Sequence, residues 1–118
     1  MKKKILIIER DQYIQDIVSL ILTEAGYIAI TSKSDEDILQ EILTLMPDGI
    51  LLDIIKPTKE GTKMCLIIKE TENTKDIPVI VLSTHPNSMA IKEICADDVL
   101  TKPFDIDELI AILDKQFT

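Results

Sequence analysis

Short apolar runs alternate along this chain with longer stretches in which apolar residues recur every three or four positions. The short runs carry no polar residue at every second position, so we expect strands buried on both faces of a sheet rather than half-exposed antiparallel strands. The predicted strands cover Ile5–Ile8, Ile50–Leu52, Val79–Leu82 and Val99–Leu100, and Tyr27–Thr31 fits a short edge strand.

Five helices are predicted between and after these strands. The first precedes Gly26, which stands where a helix C-terminus favours a left-handed residue. A capping residue with an acid three positions later predicts helix starts at Ser34–Asp37 and Asp105–Glu108. Weaker helical patterns cover Thr62–Thr71 and Ser88–Cys95. The strict alternation of strands and helices predicts an α/β fold with a doubly wound, five-stranded parallel sheet.

Length and composition limit the classes of protein that fit this fold. A chain of 118 residues suits a single domain, and 46% hydrophobic with 29% charged residues is typical of a globular protein. No apolar run is long enough for a membrane span or a signal peptide, so we expect a cytoplasmic protein. A net charge of −8 argues against nucleic-acid binding, which requires clustered Lys and Arg. Cys65 and Cys95 lie in apolar patterns and are expected to be buried thiols without a chemical role.

Polar residues follow the strands at the edge of the sheet where ligands of such folds bind. They are Glu9, Arg10 and Asp11 after the first strand, Asp53 after the third, Ser83 and Thr84 after the fourth, and Lys102 after the fifth. Asp53 stands in a run that is otherwise apolar, so its environment is expected to be partly desolvated. Acids held together there would repel one another unless a metal ion or a lysine relieved the repulsion. The residues alone therefore predict a site for a cation.

Four segments in this order resemble the receiver domain of bacterial response regulators, and the resemblance runs from about Lys3 to Phe117. They are "ILIIERD", "PDGILLDIIKPTKEG", "IPVIVLST" and "ADDVLTKPFD". The resemblance implies a flavodoxin-like, CheY-like (βα)5 fold with strand order 2-1-3-4-5. It also implies a single receiver domain over residues 1–118, either standing alone or excised from a longer response regulator.

The same resemblance implies a role in a two-component phosphorelay rather than an enzyme activity. A histidine kinase or phosphotransfer protein would donate phosphate to Asp53, and the changed domain would act on a downstream protein or effector domain. Ser83 matches the hydroxyl that holds a phosphoryl oxygen, and Lys102 matches the lysine that pairs with the phosphoryl group. Positive charge is needed because a carboxylate must approach a phosphoryl group that is itself negative. Homodimerisation is left open.

The implied metal is Mg²⁺, and one of its family ligands is missing. Glu9, Asp53 and the backbone carbonyl of Ile55 match metal ligands, but Arg10 replaces the second acid, and a guanidinium cannot coordinate a metal. Three outcomes stay open. Arg10 turns away and Asp11 substitutes as a weaker ligand, or Mg²⁺ binds weakly through the remaining ligands, or Arg10 pairs with Asp53 as a tethered cation. Asp11 is favoured as the cap of the first helix.

Two further positions concern conformational change. Val99 stands where the family usually has an aromatic residue that swings inward, and valine has no such rotamer switch. Pro103 matches a proline that often follows a cis peptide bond. The segment between Ser83 and Lys102 is shorter than usual in the family, so the fourth helix is predicted to be short or irregular. The domain could therefore contact its downstream partner through a surface other than the usual one.

Two other classes of function are alternatives to the phosphorylated receiver. In the first, Arg10 locks the domain, which acts as a pseudo-receiver that binds partners with little or no phosphorylation. The second is an enzyme, either a mononucleotide binder or a phosphatase of the haloacid dehalogenase type. A nucleotide binder would need a glycine-rich loop, whereas the chain has three glycines. The phosphatase would need a second aspartate where Ile55 stands, so the enzyme class is disfavoured.

Overall fold

The computed structural model of the chain describes residues 2–32 and 37–117. The strands are β1 (Lys4–Ile8), β2 (Ile28–Thr31), β3 (Gly49–Asp53), β4 (Val79–Ser83) and β5 (Asp98–Thr101). The helices are α1 (Gln12–Glu24), α2 (Ile38–Leu45), α3 (Lys63–Glu70), α4 (Ala90–Ile94) and α5 (Ile106–Phe117). All strand pairs are parallel, and the sheet order is β2-β1-β3-β4-β5. The predicted fold class and strand order are confirmed.

The two faces of the sheet are covered by two separate hydrophobic cores. Successive side chains of a strand point to opposite faces. Leu6 therefore packs with residues of α2, α3 and α4, whereas its neighbours Ile5 and Ile7 pack with residues of α1 and α5. Burial on both faces explains why the strands of this chain appear as unbroken apolar runs in the sequence.

Local capping interactions fix the first and last helices. Asp11 caps α1, because its Oδ1 accepts hydrogen bonds from the backbone N–H groups of Tyr13 at 2.9 Å and Ile14 at 3.3 Å. After α1, Gly26 has φ +95°, the left-handed conformation that its position predicted. Asp11 and Gly26 thus define the start and the end of α1, the helix that connects β1 to the edge strand β2.

At the start of α5, Asp105 and Glu108 form a reciprocal capping box. The Glu108 N–H donates to Asp105 Oδ1 at 2.8 Å, and the Asp105 N–H donates to Glu108 Oε1 at 3.3 Å. This helix start is confirmed. The start predicted at Ser34–Asp37 falls mainly outside the described residues, and α2 begins at Ile38.

The fourth helix is short, as the reduced spacing before Lys102 predicted: α4 has five residues. The expectation of two free thiols is wrong. Cys65 on α3 and Cys95 directly after α4 form a disulfide, with 5.9 Å between their Cα atoms. Cys65 is fully buried and Cys95 packs against the same core cluster, so the two cysteines meet because α3 and α4 cover one face of the sheet. Within the described residues, no helix is long and apolar enough to cross a membrane.

Tyr27, between α1 and β2, is tied to α5. Its hydroxyl donates to Asp114 Oδ1 at 2.9 Å. Burial raises the pKa of Tyr27 to about 12, with smaller contributions from this hydrogen bond and from the negative charge of Asp114. The ordinary tyrosine pKa is about 10. Because the pKa is higher in the folded chain, this contribution to stability is present below about pH 10 and is lost as the pH rises toward 12.

A Tyr13→Phe variant leaves Tyr27 as the single tyrosine, and its alkaline absorbance titration should have a midpoint near pH 12. Adding Asp114→Asn should move the midpoint down, because the amide carries no negative charge. A midpoint that stays in place would show that the contact with Asp114 does not control the ionisation.

Candidate functional site

The candidate site lies where the strand order reverses. From β1 the chain goes to β2 on one side and then returns to β3 on the other, and the loops after β1 and β3 separate at this point. A cleft of about 510 Å³ opens there at the carboxyl edge of the sheet. Its lining residues are Glu9, Arg10, Asp11, Ile14, Asp53, Ile55, Thr84 and Lys102. The structure thus brings together most of the strand-end residues that the sequence singled out.

Asp53, the last residue of β3, is bound by two cationic side chains. Arg10 donates to Asp53 Oδ2 twice, from Nη2 at 2.6 Å and from Nε at 3.0 Å. Lys102 Nζ donates to the other oxygen, Oδ1, at 3.1 Å. The Asp53 side chain is 9% exposed and that of Arg10 is 59% exposed, so a nearly buried carboxylate is covered by a cation that reaches in from solvent.

Glu9 forms the second half of this ion network. Lys102 Nζ lies 2.5 Å from Glu9 Oε1, and the Asp11 backbone N–H donates to Glu9 Oε2 at 3.2 Å. The Glu9 side chain is only 1% exposed. A carboxylate at such depth needs a cation, and Lys102 supplies it while also reaching Asp53.

The surroundings of Asp53 keep its carboxyl group ionised. Burial raises the pKa of this carboxyl, but the hydrogen bonds and positive charges of Arg10 and Lys102 lower it by more, so that the pKa lies below its ordinary value. An ionised carboxylate is the form that can act as a nucleophile. Asp53 Oδ2 becomes accessible to an incoming group only if Arg10 moves away from this oxygen.

The two hydroxyl residues after β4 differ in position. Ser83 is fully buried, and its Oγ accepts a hydrogen bond from the His85 backbone N–H at 3.2 Å. Ser83 is not among the described residues that line the cleft, whereas its exposed neighbour Thr84 is. Sequence reasoning placed Thr84 at this edge but gave it no role. The exposure of Thr84 could have been predicted, because successive residues at a strand end point to opposite sides and Ser83 belongs to the buried strand.

The remaining predicted residues surround the cleft or lie behind it. Ile55 is 53% exposed and lines the cleft. Val99 is buried in the core cluster on the side of α3 and α4. The peptide bond between Lys102 and Pro103 is cis. Lys102 is held at the cleft by the bond from its backbone N–H to Ser83 O at 2.8 Å, which continues the pairing of β5 with β4.

Comparison with known protein families identifies the family to which this chain belongs. The model of the response regulator receiver domain matches residues 5–114, nearly the whole chain. The chain belongs to the response regulator receiver domain family. The resemblance noted in the sequence is therefore confirmed, and receiver domains are signalling modules of two-component systems.

Several proteins are similar to this receiver domain. The DNA-binding dual master transcriptional regulator RpaA of Synechocystis sp. is 37% identical over 113 residues, covering 92% of this chain and 46% of RpaA. The transcriptional regulatory protein KdpE of Staphylococcus aureus is 39% identical over 114 residues, covering 94% of this chain and 48% of KdpE. The chain thus spans about half the length of these relatives. The receiver domain of Francisella response regulator 1452 superposes with a TM-score of 0.84 at 28% identity, covering 98% of this chain and 97% of that one.

Receiver domains generally bind Mg²⁺ at this acidic pocket, but the residues of this receiver domain do not fit a divalent cation as they are arranged. All four carboxylate oxygens of Glu9 and Asp53 already accept hydrogen bonds, and the two negative charges are matched by Arg10 and Lys102. Asp11 is turned to cap α1. Within residues 2–32 and 37–117, no group of three or more His, Cys, Asp or Glu could hold a metal ion.

Proposed function

We propose that this chain is a phosphoacceptor receiver domain over residues 1–118. A histidine kinase or phosphotransfer protein donates a phosphoryl group to Asp53, and the altered domain acts on a downstream protein or effector domain. The observation that carries the proposal is the contact of Lys102 Nζ with Asp53 Oδ1 in an open cleft. The contact supplies an ionised nucleophile together with a positive charge for the incoming phosphoryl oxygens.

Ser83 is proposed to hold a phosphoryl oxygen only after the loop that follows β4 has moved. Its hydroxyl is buried and accepts from His85 in the present conformation. Such a movement would displace the loop that leads into α4, and a small shift of a loop is a common output of phosphorylation.

Val99 beside this region is small and branched, so the movement proceeds without the aromatic rotation usual in the family. Ile55 at the mouth of the cleft is suited to limiting the access of water to the phosphorylated group.

The Mg²⁺ ligands implied by the sequence remain a proposal for a rearranged pocket only. Glu9, Asp53 and the backbone carbonyl of Ile55, with Asp11 as the weaker fourth ligand, could face a cation only if both Arg10 and Lys102 withdrew from their present partners. In the observed arrangement the cationic side chains supply the positive charge of the site.

Exposure to acetyl phosphate, followed by intact mass measurement, tests whether Asp53 accepts phosphate. Wild type should gain one phosphate in the presence of Mg²⁺, and Asp53→Asn should gain none, because an amide is not a nucleophile at this position. Asp76→Asn is the matched control, since Asp76 is an exposed aspartate in the loop before β4. Equal phosphate gain in wild type and Asp53→Asn would place the acceptor elsewhere.

The pair between Arg10 and Asp53 favours one alternative, a pseudo-receiver that binds partners without being phosphorylated. Both oxygens of the acceptor are occupied by cations, and a pair that never opened would block the attack. No phosphate gain in wild type, together with a gain in Arg10→Asp, would favour this alternative.

A further inference from the structure

The bond between Arg10 and Asp53 places a guanidinium group where it can serve phosphoryl transfer. Nε and Nη2 both donate to the same carboxylate oxygen, at 3.0 and 2.6 Å. A guanidinium carries five N–H donors in a fixed plane and binds phosphate as readily as carboxylate. Within the described part of the chain, the other three donors of Arg10 make no hydrogen bond to protein, so they can contact a phosphoryl group at Asp53.

The two cations in the cleft differ in burial and in the number of carboxylates they contact. The Lys102 side chain is 10% exposed and is held by both Glu9 and Asp53. The Arg10 side chain is 59% exposed, and its one charged partner among the described residues is Asp53. Water can solvate the exposed guanidinium when this pair opens, and the nearly buried Asp53 carboxylate keeps Lys102 as its partner. Arg10 can therefore leave Asp53 Oδ2 without leaving the cleft, whereas Lys102 stays in place.

The cleft already contains two positive charges, on Arg10 and Lys102, that can neutralise an incoming phosphoryl group. A divalent metal normally neutralises the oxygens of the transferring phosphoryl group. Here the charges of Arg10 and Lys102 offset those of Glu9 and Asp53. Every carboxylate oxygen of these two acids already accepts a hydrogen bond, Glu9 Oε2 from the Asp11 backbone N–H and the other three from Arg10 or Lys102. A metal entering this cleft would have to displace two cations, whereas a phosphoryl dianion needs only the shift of one exposed side chain.

We propose that Arg10 replaces the divalent cation, so that Asp53 is phosphorylated without Mg²⁺. The inference rests on the proposed phosphoacceptor function. With acetyl phosphate as donor, an Asp53 carboxylate oxygen forms a bond to phosphorus while the bond between phosphorus and the acetate oxygen breaks. Acetate leaves with the electron pair, and no proton is transferred. Arg10 passes from Asp53 Oδ2 to the phosphoryl oxygens in the same step, and Lys102 stabilises the developing charge from the other side.

The metal dependence of phosphorylation tests the proposal in a series of variants at position 10. Wild type, Arg10→Asp, Arg10→Gln and Arg10→Lys are incubated with acetyl phosphate in EDTA or with a range of Mg²⁺ concentrations, and phosphate gain is followed by intact mass. Wild type should react at the same rate within about twofold in either condition. Arg10→Asp should lose about a hundredfold in EDTA, the usual cost of removing a preorganised charge-stabilising donor, and recover with Mg²⁺. Arg10→Gln should be slow in both conditions, and Arg10→Lys should keep part of the metal-independent rate.

Calorimetric titration with Mg²⁺ alone gives a second readout that does not depend on phosphorylation. Arg10→Asp should bind Mg²⁺ and wild type should not. The inference is overturned if wild type binds Mg²⁺ as tightly as Arg10→Asp, or if wild type gains phosphate only with Mg²⁺; in the latter case Asp53 still serves as the acceptor. If wild type gains no phosphate in any condition, the phosphoacceptor function fails together with the inference.

Discussion

Replacing Lys102 by methionine should slow phosphate transfer from acetyl phosphate to Asp53 by a factor of about 10²–10³, the usual cost of removing one preorganised donor from a reacting oxygen. The expectation rests on the proposed acceptor role of Asp53. Lys102 Nζ lies 3.1 Å from Asp53 Oδ1, and its side chain is 10% exposed, so its charge acts in a poorly solvated part of the cleft. Initial rates of phosphate gain by intact mass give the measurement. Lys75→Met, which removes an exposed lysine from the loop before β4, is the matched control.

The same substitution removes the cation beside Glu9, and this second effect must be separated from the first. The Glu9 side chain is 1% exposed, and leaving a buried charge without its partner costs about 3–5 kcal/mol of unfolding free energy. In the double variant Lys102→Met with Glu9→Gln, most of that stability should return, because the amide carries no charge. The transfer rate should remain low. A rate that recovered along with stability would mean that Lys102 acts only by holding the fold together.

The gathering of acids and a lysine at one edge could be predicted because it follows from topology. Unbroken apolar runs imply parallel strands, and parallel strands deliver their carboxyl ends to the same edge. The residues after those ends are fixed by the sequence, so Glu9, Asp53 and Lys102 were expected to meet, and the structure places them within hydrogen-bonding distance. Asp11 could also be predicted as a cap, because a cap depends only on residues within one helical turn.

The direction of the Arg10 side chain could not be predicted, because three outcomes stayed open for its position in the chain. The choice depends on the distance between the ends of β1 and β3 and on the competition of Lys102 for Asp53. The structure shows the pairing named in the third outcome, with Arg10 on Asp53 Oδ2 and Lys102 on Oδ1. A long, exposed side chain is not fixed by strand register, so its partner becomes visible only when the positions across the sheet are known.

The disulfide was missed for a related reason. Cys65 and Cys95 are 30 positions apart, and their apolar neighbours predict burial without predicting contact. The missing step was the placement of α3 and α4 on the same face of the sheet, which follows from the strand order and the handedness of the crossovers. Even then, Cys95 directly follows the five-residue α4, and the sequence predicted only that this helix would be short or irregular.

A large loss of stability without any change of charge is expected from Leu51→Ala in the central strand β3. Leu51 is fully buried, two residues before Asp53, and belongs to the core cluster between the sheet and helices α1 and α5. Truncating a buried leucine removes its transfer free energy and leaves a cavity, which together cost about 2.7–5 kcal/mol. The free energy of unfolding of such domains is about 5–15 kcal/mol, so this variant should lose a large part of it. Urea unfolding with linear extrapolation measures the loss.

Leu20→Ala supplies the comparison, because Leu20 is the same residue type on α1 but is 60% exposed. Its loss should stay within about 0.5 kcal/mol, as for other surface substitutions. If both variants lost the same free energy, the burial of Leu51 would not be what stabilises β3. A loss confined to Leu51→Ala, with a slower phosphate gain at temperatures where the variant is still folded, would show that packing behind β3 also holds Asp53 in position. A 1 Å displacement of a reacting group is enough to cost about 10²-fold in rate, so the second effect should be measurable even where unfolding is negligible.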